Sequence, residues 1–184
     1  MPKTDPMTQR VELAAVLDRL AIDTLITDYA ITVDDGDWDG YRRLFAPDGR
    51  ADYRSAGGIE GPMSEVADWL TESLRIFAVR QHLIVNRRIR FDVRDQDIGD
   101  SARIQADYAN PMRLAGKADT ADSADRTAEP GGPGAADRPG STAPDFECGG
   151  RYEFTAVRTH NGWRLRQVVV HEKWRRQHWS DPVT

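Results

Sequence analysis

The sequence predicts an α+β fold, with helices first and a mainly antiparallel sheet after them. Three observations carry that prediction. Apolar residues recur at helical spacing through the first third of the chain. From Gln81 the period changes to two, as in strands. Near the end, Asn161-Gly162 separates two alternating segments, the strongest short hairpin signal. At 184 residues, 39% hydrophobic and 30% charged, the chain has the size and composition of one ordinary domain with a proper core.

The elements follow in order. Residues 1–7 carry two prolines and read as a loose lead-in. Thr8 is a plausible N-cap, with Glu12 close behind it. Leu13, Leu17 and Leu20 continue at helical spacing into Ile22, Ile26, Tyr29 and Val33, so one helix is expected over residues 8–34. Gly36 is a fair terminator for it. Asp37 then caps a short helix from Trp38 to Phe45, which stops before the turn sequence Pro47-Asp48-Gly49. Arg50 to Ser55 reads as a brief strand bearing Tyr53. Gly61-Pro62 opens a third helix with Met63, Val66, Trp69 or Leu70, Ser73 or Leu74, and Phe77 on its apolar side.

In the strand that starts at Gln81, His82, Ile84, Asn86 and Arg88 fall on one side. A second strand, Ser101 to Leu114, sets Ala102, Ile104, Ala106 and Tyr108 against Arg103, Gln105 and Asp107. Residues 115–145 are mostly Ala, Gly, Pro, Asp, Ser and Thr, too poor in apolar surface to offset the entropy of ordering them. They read as a disordered insertion in a single domain spanning 1–184, with a lid as the functional alternative. Phe146 to His160 and Trp163 to Trp174 form the closing hairpin.

Charge and composition narrow the function. A net charge of −5 disfavours a nucleic-acid partner, and the arginines around Arg87, Arg88 and Arg90 read as solvated strand faces. Cys148 is the one cysteine, so neither an intrachain disulfide nor a Cys-rich zinc site is available. The histidines and carboxylates show no spaced metal motif, and no Gly-rich phosphate loop follows a strand. No apolar run approaches the roughly 20 residues of a membrane span, and Met1 to Arg10 lacks a signal peptide's apolar core. A cytoplasmic protein is the expectation.

His82 is the first residue with chemistry to offer, since imidazole moves protons at physiological pH. A carboxylate beside it would fix its tautomer, and Asp34 is a candidate. A strand histidine with a purely structural role remains the alternative. Asp34 lies five residues after Tyr29, about 140° round an ideal helix, so the two converge only where the helix ends or a cavity wraps its last turn.

The run Tyr29-Ala30-x-x-x-Asp34-x-x-Asp37-Trp38-Asp39 resembles the SnoaL-like branch of the NTF2-like superfamily. So do Leu44-Phe45-Ala46-Pro47-Asp48, Tyr53 and Gln81-His82-Leu83-Ile84-Val85-Asn86. The likeness covers about residues 8–114 and 146–175 and includes scytalone dehydratase, bile-acid 7α-dehydratase, hexachlorocyclohexane dehydrochlorinase and dioxygenase β subunits. It implies a cone: a curved, mainly antiparallel sheet wrapped on three N-terminal helices around a deep apolar pocket. It also implies a catalytic dyad of Asp34 and His82, with Tyr29 and Tyr53 as hydrogen-bond donors to a substrate oxygen. Arg151, Asp107 and Asn86 are expected substrate-binding residues, each with a surface or structural role as the alternative.

The expected activity is a cofactor-independent lyase or isomerase, dehydratase-like, acting on a hydrophobic cyclic small molecule. Epoxide hydrolysis and cofactor-free oxygenation are other chemistries of the superfamily. The alternative from another class is a non-catalytic ligand-binding or structural subunit like the dioxygenase β subunits. A homodimer or homotrimer is expected through the open sheet face, with Trp163, Val169 and Trp174 as its apolar surface.

Overall fold

The computed structural model describes residues 6–115 and 143–177. The lead-in residues 1–5 and most of the expected insertion, 116–142, therefore lie outside the described residues. Its three helices are α1 (Pro6–Asp35), α2 (Trp38–Arg43) and α3 (Met63–Leu74). The strands are β1 (Phe45–Asp52), β2 (Glu60–Pro62), β3 (Phe77–Arg80), β4 (Leu83–Val93), β5 (Ser101–Leu114), β6 (Phe146–Thr159) and β7 (Gly162–Gln177). A 3-10 turn, Arg54–Ala56, follows β1. The strands form one sheet in the order β2-β1-β7-β6-β5-β3, and β4 shares the β5 edge with β3. β1 runs parallel to β7; the other pairings are antiparallel. This is the expected α+β architecture.

Local chemistry explains the boundaries. Asp37 caps α2 by accepting a hydrogen bond from the Gly40 N–H at 2.7 Å. Gly36, at φ +70°, ends α1 in the left-handed region where glycine carries no penalty. Three expectations shift. β1 begins at Phe45, and Pro47-Asp48-Gly49 is absorbed into an irregular stretch between Phe45 and Arg50. Tyr53 stands just beyond that strand, before the 3-10 turn. Phe77 belongs to β3, because α3 stops at Leu74.

The core lies between α1 and the concave side of the sheet. Ile22, Ile26, Tyr29 and Val33 are buried against Ile104, Tyr152, Phe154 and Leu165. Each large apolar side chain there stabilises the fold by roughly 2 kcal/mol. Leu13, Leu17 and Leu20 do not continue that stripe: they are 59, 55 and 59% exposed. Their azimuth is the reason, since they project from the opposite flank of the helix.

Midway along α1, buried Asp18 clamps the helix to the sheet. It accepts hydrogen bonds from Arg158 Nη2 at 2.6 Å, Trp163 Nε1 at 3.1 Å and Gln96 Nε2 at 3.2 Å. Trp163 is thus a core residue at 5% exposure, correcting the expectation that it lies on an open sheet face. The ends of the expected insertion are tied down: Ala115 N–H donates to the Ile76 carbonyl, and buried Asp145 accepts from the Leu114 N–H at 2.9 Å. No helix among the described residues is long and apolar enough to cross a membrane.

Candidate active site

Asp34 is the penultimate residue of α1, and the end of the helix is what frees it to turn toward the sheet. Arg80 Nε, from β3, donates to the Asp34 carbonyl at 3.1 Å and holds that last turn in place. His82 lies between β3 and β4. Its backbone N–H donates to Asp34 Oδ2 at 2.9 Å, and its ring Nδ1 meets Asp34 Oδ1 at 2.5 Å. The carboxylate therefore fixes both the backbone and the ring. With the Asp34 carboxylate ionised, Nδ1 carries the proton and Nε2 is the basic nitrogen. Nε2 has no hydrogen-bond partner among the described residues.

His82 lines a cavity of about 250 Å³ whose wall is mainly apolar, with Trp69, Leu70, Phe77, Met112 and Phe146 among its residues. Tyr53 lines the same cavity, and its hydroxyl is hydrogen-bonded to that of Tyr29. Tyr29 is 1% exposed and packs edge-on against Tyr152 and Phe154, so it stands behind Tyr53 rather than on the cavity wall. Burial, reinforced by neighbouring phenols, pushes both tyrosines well above the ordinary phenol range. They stay protonated and can donate. Tyr29 and Asp34 thus act on one cavity through intermediaries, Tyr53 and His82.

The three expected substrate-binding residues are elsewhere. Asp107 and Arg151 are paired across β5 and β6 on the convex side of the sheet, with Arg151 Nη2 to Asp107 Oδ1 at 2.7 Å. Strand alternation decides this: Ala106 and Tyr108 point into the core, so Asp107 points out. The hydrogen bonds from Arg151, then Asn86, hold the Asp107 carboxyl below its usual range. Asn86 was expected on the His82 side, but it sits at φ +54° in an irregular stretch of β4 and donates to Asp107 at 3.2 Å. That left-handed residue breaks the period-two count and moves Asn86 to the outer face.

Sequence reasoning missed Tyr108, Asn110, Cys148, Tyr152, Glu172 and Arg175, all of which line the cavity. For Tyr108 and Asn110 the signal was present, since both continue the inward parity of Ala102, Ile104 and Ala106. Arg175 was not legible. β7 carries an extra residue near Lys173, with Gly149 opposite Trp174 but Gly150 opposite Glu172. The bulge turns Trp174 outward onto Gly149, where a Cβ would come within 2.3 Å of the indole. Arg175 then turns inward, pairs with Glu172 at 2.9 Å and donates to the Ala56 carbonyl at 2.7 Å. Burial, then the nearby Glu172 carboxylate, pushes the Cys148 thiol up to about 12, so it is no nucleophile at neutral pH. Among the described residues, no three His, Cys, Asp or Glu side chains converge as a metal site requires.

The profile of the SnoaL-like domain matches residues 14–169 of the chain. The protein belongs to the SnoaL-like family. An uncharacterised Mycobacterium tuberculosis protein is 31% identical over 159 residues, 86% of this chain and 88% of its own. Among solved structures, a Kribbella flavida protein superposes with a TM-score of 0.65 at 24% identity, covering 88% of this chain and 95% of that one. A hexachlorocyclohexane dehydrochlorinase superposes with a TM-score of 0.66 at 15% identity, covering 93% of this chain and 98% of that one. The solved structures share the fold of this chain.

Proposed function

We propose that this SnoaL-like protein is a cofactor-independent lyase or isomerase for a small hydrophobic cyclic molecule. His82 Nε2 removes a proton from a carbon beside a carbonyl or a leaving group. Asp34 stabilises the imidazolium that forms, and Tyr53, backed by Tyr29, donates to the substrate oxygen that gains charge. Loss of a leaving group from the adjacent carbon gives elimination; return of the proton elsewhere gives isomerisation.

The observation that carries this reading is the 2.5 Å contact between His82 and Asp34 at the wall of an apolar cavity. A structural histidine needs no empty space beside it, whereas a base needs room for its substrate. The volume of about 250 Å³ suits a compact ring system rather than an extended chain. The structural relative that eliminates chloride from a ring supports the same class of chemistry. Binding of the ring falls to the cavity residues, and Arg151, Asp107 and Asn86 take no part in it.

The test is a panel of cyclic ketones, hydroxy-ketones and thioesters incubated with the protein in D2O and followed by proton NMR. Deuterium incorporation or elimination that disappears in His82→Ala supports the reading. Saturable binding without exchange or turnover would overturn it in favour of the non-catalytic ligand-binding subunit.

A further inference from the structure

The wall of the cavity holds two polar atoms that the protein itself leaves unpaired. Among the described residues, three buried side-chain atoms lack a hydrogen-bond partner: the hydroxyls of Tyr41 and Tyr108, and Asn110 Oδ1. Tyr41 does not line the cavity, but Tyr108 and Asn110 both do, at 5 and 4% exposure. A buried polar atom without a partner costs free energy. Two of them on the wall of one cavity point to an occupant of that cavity.

Topology sets both beside the dyad. Tyr108 and Asn110 stand two residues apart on β5, so they share its concave face. Arg80 pairs with Met112 and Leu83 with Ala109, which brings His82 level with Asn110 on the neighbouring strand. His82 does not satisfy Asn110 while it serves as a base, because its one ring proton lies on Nδ1 against Asp34.

The two atoms need different partners. Asn110 Oδ1 only accepts, so its partner must donate. Burial holds the Tyr108 phenol above its ordinary range, so it keeps its proton and can donate. A hydroxyl supplies both needs, since it donates to an amide oxygen and accepts from a phenol. A carboxylate does not suit this wall. The Arg175 guanidinium already has Nε and Nη2 on the two oxygens of Glu172, at 2.9 and 3.0 Å. A second carboxylate would face Glu172 uncompensated.

We propose, resting on the reading of this cavity as the substrate site, that its ligand is an uncharged ring bearing a hydroxyl apart from the oxygen Tyr53 engages. That hydroxyl donates to Asn110 Oδ1, and Tyr108 donates to the ligand. Asn110 and Tyr108 thereby determine specificity.

Isothermal titration calorimetry on the full chain tests this. The probes are tetralone, its isomers carrying one ring hydroxyl, and its isomers carrying one ring carboxylate. At least one hydroxylated isomer should bind about tenfold more tightly than tetralone, and the carboxylates more weakly than tetralone. Asn110→Leu should abolish the preference by weakening the hydroxylated isomer alone, and Tyr108→Phe should reduce it. Tyr108→Phe should not lower the melting temperature of the ligand-free protein, because that hydroxyl makes no bond within it. Equal binding of tetralone and every hydroxylated isomer overturns the proposal, as does tightest binding by a carboxylate. So does a preference that survives both variants, a loss that tetralone shares equally, or no saturable binding by any hydroxylated isomer. Binding is read here without turnover, so this proposal and the proton-transfer reading, tested by exchange in His82→Ala, can each fail alone.

Discussion

The two halves of α1 differ in fate although they share a composition. From Ile22 onward Ile22, Leu25, Ile26, Tyr29 and Val33 are buried while Ile31 stays exposed, and the helix ends by setting Tyr29 behind Tyr53 and Asp34 behind His82 at the cavity. Before Asp18 the same residue types stand in solvent, on another flank of the same helix. Asp18 marks the boundary, because its three side-chain hydrogen bonds are where the helix is fastened to the domain. The lesson is that helical spacing identifies faces that want cover without saying what covers them. One face builds the site; the other stays in solvent in the single chain.

The largest effect should separate the two halves by function. Asp34→Asn leaves the shape of the dyad intact but removes the charge that stabilises the imidazolium. Turnover should fall by about a thousandfold, within the range that a positioned base contributes. Leu17→Asp, at a position 55% exposed, should leave turnover unchanged. Turnover measured on both variants checks this. An Asp34→Asn protein with full turnover would break the assignment of the buried end.

Stability gives the next contrast. Ile26→Ala opens a hole in a fully buried contact and should cost about 2–5 kcal/mol in denaturant unfolding. Leu20→Ala, at 59% exposure, should cost within about 0.5 kcal/mol in dilute protein. If the Leu20 effect grows with protein concentration, the exposed flank is buried by association.

Much of this was legible before any coordinates. The stripe Ile22, Ile26, Tyr29 and Val33, the Asp37 cap, the Gly36 stop and the Asn161-Gly162 hairpin all depend on local chemistry. The pairing of Asp34 with His82, 48 residues on, was legible only through the SnoaL-like resemblance. What could not be read depends on single irregular residues or on tertiary partners. The left-handed Asn86 and the β7 bulge near Lys173 each reverse a strand's parity, misplacing Asn86 and hiding Arg175. Trp163 sits in a strand pattern that fits either face, and its burial follows from Asp18, 145 residues away in sequence.

The boundary residue makes a pH prediction. Burial opposes ionisation of Asp18, but hydrogen bonds from Trp163, Arg158 and Gln96 together outweigh it and hold its carboxyl below the usual range. The folded state therefore favours the charged form more than the unfolded chain does. Its contribution to stability is present above the unfolded value of about 4 and is lost as pH falls through the lower folded value. Asp18→Asn should flatten that part of the acid unfolding curve and lower stability near neutrality by about 1–3 kcal/mol. Trp163 fluorescence during acid titration reports the loss directly, since the indole donates to the same carboxylate.

The smallest effect tests whether the rule for α1 also governs the sheet. Asp107 accepts as many side-chain hydrogen bonds as Asp18, from Arg151 and Asn86, but it and Arg151 meet on the solvent side, with side chains 32 and 41% exposed. Water already solvates both charges there, so the pair offers little over its separated members. Asp107→Asn should move the melting temperature by no more than about 1 °C and leave turnover unchanged. Thermal unfolding and the NMR exchange assay check both. A large loss of turnover would mean that the convex face reaches the chemistry by a route the cavity does not show. A null result would assign the polar work of this fold to the concave side, where Asp34 and His82 already meet.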